Sequence, residues 1–279
     1  MNRHRSSEPA RHAKRSWKKR SPQISFSKSV LYLSLVFFFA PLLVTAFYSF
    51  NSSKNSTFSG LSLVWYQQLF FSSMPLWKSL LTSMIIAITS SLAATVLGTL
   101  AALGVTWYKF FGRTYIQTIS FLPMVLPEVI MAISLSIFFT SIHISQGMLT
   151  IFIAHTTFCL PFVYLMVSAR IDEFDYSIIE ASHDLGANEA QTLTKVIIPS
   201  IMPGIISGFM MSVTISLEDY VITSLVNGGG NTTLPIYIYS LIKVGVSPVI
   251  NALSFLLILV VIALTFVFRK SLKTFASSH

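Results

Sequence analysis

Charged residues are scarce in this 279-residue chain: Asp, Glu, Lys and Arg make up only 10% of it, against about 25% in ordinary soluble domains. Hydrophobic residues make up 53%, so too few charges remain to cover a soluble surface. The single cysteine, Cys159, excludes a disulfide framework and paired cysteine ligands for a metal. A GxxxxGK[ST] phosphate-binding loop is also missing, so we expect no ATP site on this chain. The composition predicts an integral membrane protein.

Six apolar runs are long enough to cross a membrane as helices, and they predict an all-α polytopic protein. The runs lie at roughly 30–50, 80–107, 115–140, 149–169, 201–224 and 249–268. The sequence therefore divides into a basic tail of residues 1–29, a membrane domain of residues 30–268 and a C-terminal tail of residues 269–279. Six spans place both termini on the same side of the membrane.

Lysine and arginine are distributed unequally between the two sides that six spans define. Sixteen of the nineteen basic residues fall on the side of the termini and of residues 170–199, and three (Lys54, Lys78 and Lys243) fall on the other. By the positive-inside rule, both termini and residues 170–199 are predicted to be cytoplasmic. Nine of the basic residues belong to the tail of residues 1–29. We interpret this tail as a topology signal near anionic lipid rather than a nucleic-acid site.

Small residues recur at every fourth position in two of the predicted spans. The second span carries Ser90, Ala94, Gly98 and Ala102. The fifth span carries Gly204 and Gly208. Ridges of small residues let helix backbones approach closely in lipid, so these positions predict packing contacts.

Four residues inside the predicted spans form a candidate substrate pathway: Glu128, Glu218, Asp219 and Tyr220. An unpaired charge near the bilayer centre costs about 2.5–3.5 kcal/mol, so each acid must face a partner, the bundle interior or water. Pro123 and Pro127 predict a kinked or broken helix beside Glu128. Glu218 and Asp219 would point about 100° apart on a helix, so only one can face a pathway squarely. Two interpretations stay open: a route for cations, or structural contacts with the backbone or a neighbouring helix.

His155 and Cys159 lie one turn apart in the fourth span. A metal site would need further ligands that the sequence does not offer nearby, so we expect a packed, hydrogen-bonded histidine. The spans also lack a nucleophile and base on matching faces, which argues against an intramembrane enzyme.

Residues 170–199, here called the polar island, hold six of the ten acids in the chain. Their pattern predicts two short helices around a glycine. Phe174, Ile178, Ala181 and Leu185 form one apolar helical stripe, and Gly186 follows as a helix stop. Asn188 is placed to cap the second helix with Gln191 in a capping box, and Pro199 ends that helix or starts the next segment.

Two helices around a glycine also describe a DNA-binding helix-turn-helix. The polar island, however, carries two basic residues and six acids, a net charge of −4 that would repel phosphate. We therefore exclude nucleic acid as its partner.

The spacing inside the polar island resembles the EAA motif of membrane permeases of bacterial ABC importers, EAA-x3-G-x9-I-x-L-P. The matching positions are Glu180, Ala181, Ser182, Gly186, Val196, Ile198 and Pro199, with Ser182 in place of the third motif residue and with Val196 and Ile198 as conservative departures. In that family the two short helices dock on a cytoplasmic ATPase. The resemblance implies that these seven residues couple the chain to such an ATPase.

Further segments resemble permeases of the spermidine/putrescine importers, the PotC type. They are FLPMVLPEVIMAISL at 121–135, HTTFCLPFVYL at 155–165, SLEDYVITSLV at 216–226 and IYSLIKVGVSPVINAL at 238–253. The resemblance implies a type I ABC importer permease fold in the bacterial inner membrane. It also implies two copies of an ATPase that holds ATP and magnesium, a second homologous permease and an external polyamine-binding protein. This chain itself would bind no cofactor.

Two alternatives remain beside a polyamine permease. An importer of the same family could carry another small solute. A secondary transporter or channel could use the same intramembrane acids without an ATPase, and only the EAA spacing argues against it.

Overall fold

Helices make up this computed structural model, which describes residues 23–54, 57–108, 110–245 and 248–276. They are α1 (Gln23–Tyr48), α2 (Val64–Ser72), α3 (Met74–Trp107), α4 (Arg113–Val125), α5 (Glu128–Ser141), α6 (Met148–Asp172), α7 (Ser177–Asp184), α8 (Glu189–Thr192), α9 (Ile198–Glu218), α10 (Val221–Val226), α11 (Leu234–Val244) and α12 (Pro248–Ala276). A π-helical turn, Leu193–Ile197, joins α8 to α9. Most of the basic tail predicted for residues 1–29 lies outside the described residues, as do residues 277–279 of the C-terminal tail.

In the described part of the chain there are five helices that could cross a membrane, or six spans if one bent pair counts as a single span. The five are α1, α3, α6, α12 and the continuous helical segment of residues 189–218, each long and apolar enough to cross a membrane. The sixth is the pair α4 and α5, which is bent by 110° at its break. The break follows from Pro127: the residue before a proline is disfavoured in the α region, and Leu126 is extended with φ −71° and ψ 138°. The predicted all-α polytopic architecture is confirmed, and the helix break predicted beside Glu128 is present.

The core of the bundle is formed by α3, α6 and α9, which all pack against one another. A Cβ added at Gly98 would lie 2.8 Å from Cβ of Val163, and one at Gly208 would lie 3.1 Å from its Cα. A Cβ at Gly204 would lie 2.8 Å from Cβ of Arg170. The α3 ridge is buried along its whole length. The predicted small-residue ridges are therefore packing contacts, and each of them meets α6 at Val163.

The first span lies at the edge of this core. Helix α1 is apolar on all sides, packs mainly against α12, and leaves nearly all of its described side chains exposed. A helix that is apolar all round needs an apolar environment on the faces its own chain does not cover. Lipid or another subunit therefore surrounds α1.

Two glycines of α3 provide a test of the close packing. Gly98→Ala forces a methyl group against Val163, and overpacking of this kind costs about 1–3 kcal/mol. Gly104→Ala is the matched control, because nothing lies within 4 Å of the added Cβ there, and alanine is the better helix former by about 1 kcal/mol. We expect the thermal midpoint of the purified protein to fall for Gly98→Ala and to hold or rise for Gly104→Ala. Equal midpoints would contradict the packing described for α3 and α6.

Candidate functional site

Two interrupted helices meet at the intramembrane acids. Glu128 is the first residue of α5, immediately after the 110° break, and Glu218 is the last residue of α9, before the chain restarts as α10. Helices α5 and α10 pack together in a cluster that includes Met131 and Ile222. The two breaks are therefore held side by side. Backbone outside a helix at membrane depth is tolerated where it is buried in protein or lines a water-filled path.

Asp219 occupies the break between α9 and α10 and is buried, with 5% of its surface exposed. Its Oδ1 accepts the backbone N–H of Ile222 at 3.1 Å, and its Oδ2 accepts the backbone N–H of Thr223 at 2.8 Å. The Thr223 hydroxyl donates to the same Oδ2 at 2.6 Å. The carboxylate thus caps the first turn of α10. The Glu128 carboxyl lies close enough to Asp219 and Glu218 to interact electrostatically with both.

His155 reaches this carboxylate from α6. Its Nε2 lies 3.1 Å from Oδ2 of Asp219 and 2.8 Å from the Thr223 hydroxyl, while its Nδ1 lies 2.7 Å from the Ser216 hydroxyl. Ser216 in turn lies 3.4 Å from the hydroxyl of Ser90 on α3. One buried polar network therefore links α3, α6, α9 and α10.

The sequence predicted a packed, hydrogen-bonded histidine at position 155, and the structure has one. Cys159, one turn away, directs its thiol to the Ser212 carbonyl instead of joining the histidine. Within the described residues, no group of three His, Cys, Asp or Glu side chains is placed to hold a metal. The sequence did not predict the pairing of His155 with Asp219. Its only signal was the presence of a histidine and an acid in two different spans.

Glu218 points away from the network that holds Asp219, in agreement with the 100° separation expected on a helix. Its side chain is exposed, and so are the three residues that share its face of α9: Ser207, Met211 and Thr214. Tyr220 is half-buried and packs on Tyr239 of α11, with ring centroids 4.4 Å apart and planes tilted by 40°. The four candidate pathway residues therefore lie together, with Asp219 buried behind Glu128, Glu218 and Tyr220.

Local hydrogen bonds within the polar island define both ends of its first helix, α7. The N–H of Ser177 donates to Oδ1 of Asp175 at 3.0 Å, which lowers the pKa of that exposed carboxyl. At the other end Gly186 adopts a left-handed conformation with φ +81°. Its N–H bonds to the His183 carbonyl at 2.8 Å, and the N–H of Ala187 bonds to the Ser182 carbonyl at 3.0 Å. These two bonds form the Schellman stop that Gly186 predicted.

The second helix, α8, is capped as the sequence predicted. Asn188 accepts the N–H of Gln191 at 2.9 Å, and the Gln191 side chain accepts the N–H of Asn188 at 3.0 Å. After one turn of α helix the chain enters the π turn and runs on into α9 without a stop. Pro199 therefore marks the start of α9: it lies in the first turn and has no N–H, so it cannot continue the backbone bonds of the π turn.

Apart from the half-buried Phe174, the apolar stripe predicted for α7 faces outward rather than into the protein. Leu185 is 89% exposed and Ile178 is 46% exposed, whereas Ile179 and Ser182 turn inward. Ile179 packs on the core cluster that contains Ile197 of the π turn. Helical periodicity identified the stripe correctly, but only tertiary packing decides which face of a short helix is buried.

A hydroxyl pair fixes the two short helices to each other. Oγ of Ser182 lies 2.9 Å from Oγ1 of Thr192, and both residues are buried. The seven motif residues divide accordingly. Ser182 is buried, Val196 and Ile198 are half-buried, and the others are exposed or at the turn: Glu180, Ala181, Gly186 and Pro199. Ser182, the one departure from the EAA pattern at its start, thus supplies a bond that alanine could not make.

The chain is similar to known components of transport systems. Residues 94–276 match the family described as the inner membrane component of binding-protein-dependent transport systems. The chain is 35% identical over 250 residues to the spermidine/putrescine transport system permease protein PotC of Haemophilus influenzae, covering 89% of this chain and 96% of that protein. It is 37% identical over 237 residues to PotC of Escherichia coli, covering 85% and 89% of the two chains. The putrescine transport system permease protein PotI of Escherichia coli is 39% identical, covering 82% of this chain and 84% of that protein.

A solved structure shares the fold. The crystal structure of a bacterial ABC transporter involved in the import of the acidic polysaccharide alginate aligns with a TM-score of 0.71 and 15% identity. The alignment covers 91% of this chain and 99% of that chain. The predicted ABC importer permease fold is therefore confirmed.

Neighbouring acids at the α9 break should respond differently to substitution. Asp219→Leu leaves His155, Thr223 and two amide groups without their acceptor, and breaking a buried charged network costs about 3–5 kcal/mol. Glu218→Gln is the matched control, since its side chain is exposed. We expect the fraction of protein that survives heating as a monodisperse species in detergent to drop for Asp219→Leu only. Equal survival of the two variants would show that the buried network adds nothing to stability.

Proposed function

The chain belongs to the family of inner membrane components of binding-protein-dependent transport systems, and we propose that it moves polyamines, spermidine or putrescine, across the bacterial inner membrane. It is a non-catalytic, multi-pass permease subunit of an ABC importer. Energy comes from an ATPase subunit and substrate from a binding protein. We further propose two copies of the ATPase, which hold the ATP and magnesium, and a second, homologous permease beside this one.

The observation that carries the polyamine assignment is the group of acids at the two helix breaks. Polyamines hold several positive charges that cannot enter an apolar bundle without compensation. Glu218 is exposed and Glu128 is partly exposed at the breaks, while Asp219 adds negative charge behind them. Tyr220 adds an aromatic face that can bind a cation. The names of the relatives with 35–39% identity support the same substrate class.

The polar island supports a docking role towards the ATPase. Its outer surface combines the exposed apolar side chains of Tyr176, Ile178 and Leu185 with exposed acids such as Glu180. Its inner surface is fixed by the bond between Ser182 and Thr192 and by Ile197 in the core. A pair of helices that is fixed to its own protein on one side and exposes an apolar face on the other can bind a partner with a complementary groove. By the charge distribution, this partner would be cytoplasmic.

Substitution of the two accessible acids tests the substrate route. A lost hydrogen bond between charged groups costs about 1.5–3 kcal/mol, so Glu128→Gln or Glu218→Gln should raise the half-saturating putrescine concentration by roughly tenfold or more. The measurement is uptake of labelled putrescine by proteoliposomes that contain the complete transporter, with neutral solutes as competitors. Glu8→Gln in the basic tail of residues 1–29 is the control and should transport normally. Wild-type uptake in both acid variants would remove these acids from the route, and competition by a neutral solute would point to another cargo.

Gly186 offers a test of coupling that separates backbone shape from side-chain chemistry. Valine is strained at φ +81°, whereas asparagine tolerates the left-handed region. We expect Gly186→Val to remain in the membrane but to lose ATP-driven uptake, and Gly186→Asn to retain most of it. Glu180→Lys should also uncouple the transporter, because it reverses a charge on the proposed docking surface. Normal uptake by both Gly186→Val and Glu180→Lys would contradict the proposed coupling role of the polar island.

A further inference from the structure

Lys243 is a cation that the fold has placed on an aromatic ring. It lies in α11, one turn beyond Tyr239, and its Nζ is 4.9 Å from the centroid of that ring. Both side chains are exposed. The ion pairs found among the described residues are His155–Asp219 and Arg170–Glu173, so none of them engages Lys243. The ring of Tyr239 is therefore the cation site at which the Lys243 ammonium rests.

The same ring connects Lys243 to the intramembrane acids. Tyr239 packs on Tyr220, with centroids 4.4 Å apart. Tyr220 follows Asp219 directly at the α9 break and lies two residues from Glu218. The tyrosine pair thus extends from the acidic break to α11, and Lys243 marks its far end.

The lysine side chain has the same chemical form as one end of the proposed substrate. Beyond Cα it consists of four methylene groups and a primary ammonium. Putrescine is two primary ammonium groups joined by four methylene groups, and spermidine carries the same aminobutyl unit. Lys243 on Tyr239 therefore displays how an aminobutyl cation meets this aromatic face.

We infer that Tyr239, backed by Tyr220, is a cation–π site for the aminobutyl end of the substrate, and that Lys243 occupies it until the substrate displaces it. This inference rests on the proposed polyamine transport. Two ammonium groups cannot share one ring face, because they repel each other and need the same volume. Lys243 thus competes with the substrate for the ring of Tyr239. It weakens the apparent binding of the substrate, and it selects cations that can replace a primary ammonium.

The decisive experiment is a double-substitution cycle in the complete transporter, reconstituted in proteoliposomes and assayed with labelled putrescine. Removing the competitor with Lys243→Gln should lower the half-saturating concentration by about two- to fivefold, the range of an exposed cation–π contact. Adding Tyr239→Leu to Lys243→Gln should raise it again by a similar factor. In the Tyr239→Leu background, replacing Lys243 should change nothing. Lys243→Arg and Tyr239→Phe keep a cation and a ring and should behave like wild type.

Each other outcome rejects the site. An equal improvement from Lys243→Gln with and without the Tyr239 ring would mean that the lysine only repels cations at long range. No change in any variant would mean that the contact is an ordinary neighbour pair on one helix face. The wild-type measurement separates the two hypotheses: absence of putrescine uptake overturns the proposed function, whereas uptake that ignores these substitutions overturns only the aromatic site.

Discussion

A carboxylate buried in a membrane protein must be surrounded by hydrogen-bond donors, and Asp219 is held in this way from four directions. Two amides of α10, the Thr223 hydroxyl and His155 of α6 all converge on it. This requirement explains why α9 stops where it does, because the break frees the amides that the carboxylate needs. It also explains why Glu218, one residue earlier, is turned outward. The geometry of the candidate pathway therefore depends on an acid that is itself out of reach of solvent.

Helix α6 connects this network to the polar island. Its first half carries His155, its middle carries Val163 against the glycines of α3 and α9, and its last turn carries Arg170. The Arg170 guanidinium donates to the Ser200 carbonyl at the start of α9 at 3.3 Å and to Glu173 at 2.9 Å. Helices α6 and α9 are thus joined at both ends and pressed together between them. Because the two helices are joined in this way, a displacement of the polar island would move α6 and α9 together, and with them the acids at the α9 break.

Much of this could be predicted because it depends on short-range rules. The apolar runs marked the spans, Pro127 marked the break in the third span, and Gly186 and the Asn188–Gln191 pair marked the ends of two short helices. What could not be predicted depends on tertiary contacts. The 110° bend, the outward turn of Leu185, the meeting of His155 with Asp219 and the stacking of Tyr220 on Tyr239 each join residues from separate elements. Periodicity identifies a face but not the neighbour that the face will meet.

The π turn between the polar island and α9 has a consequence for the direction in which the polar island faces. A π turn accommodates one residue more than the α helix around it, and each residue of an α helix advances the chain by about 100° around the axis. The turn at Leu193–Ile197 therefore sets the angular phase between α8 and α9 independently of their lengths. A single insertion or deletion there would rotate the polar island about the span while leaving both helices intact. The number of residues in this turn, rather than any one side chain, therefore determines the direction in which the polar island faces.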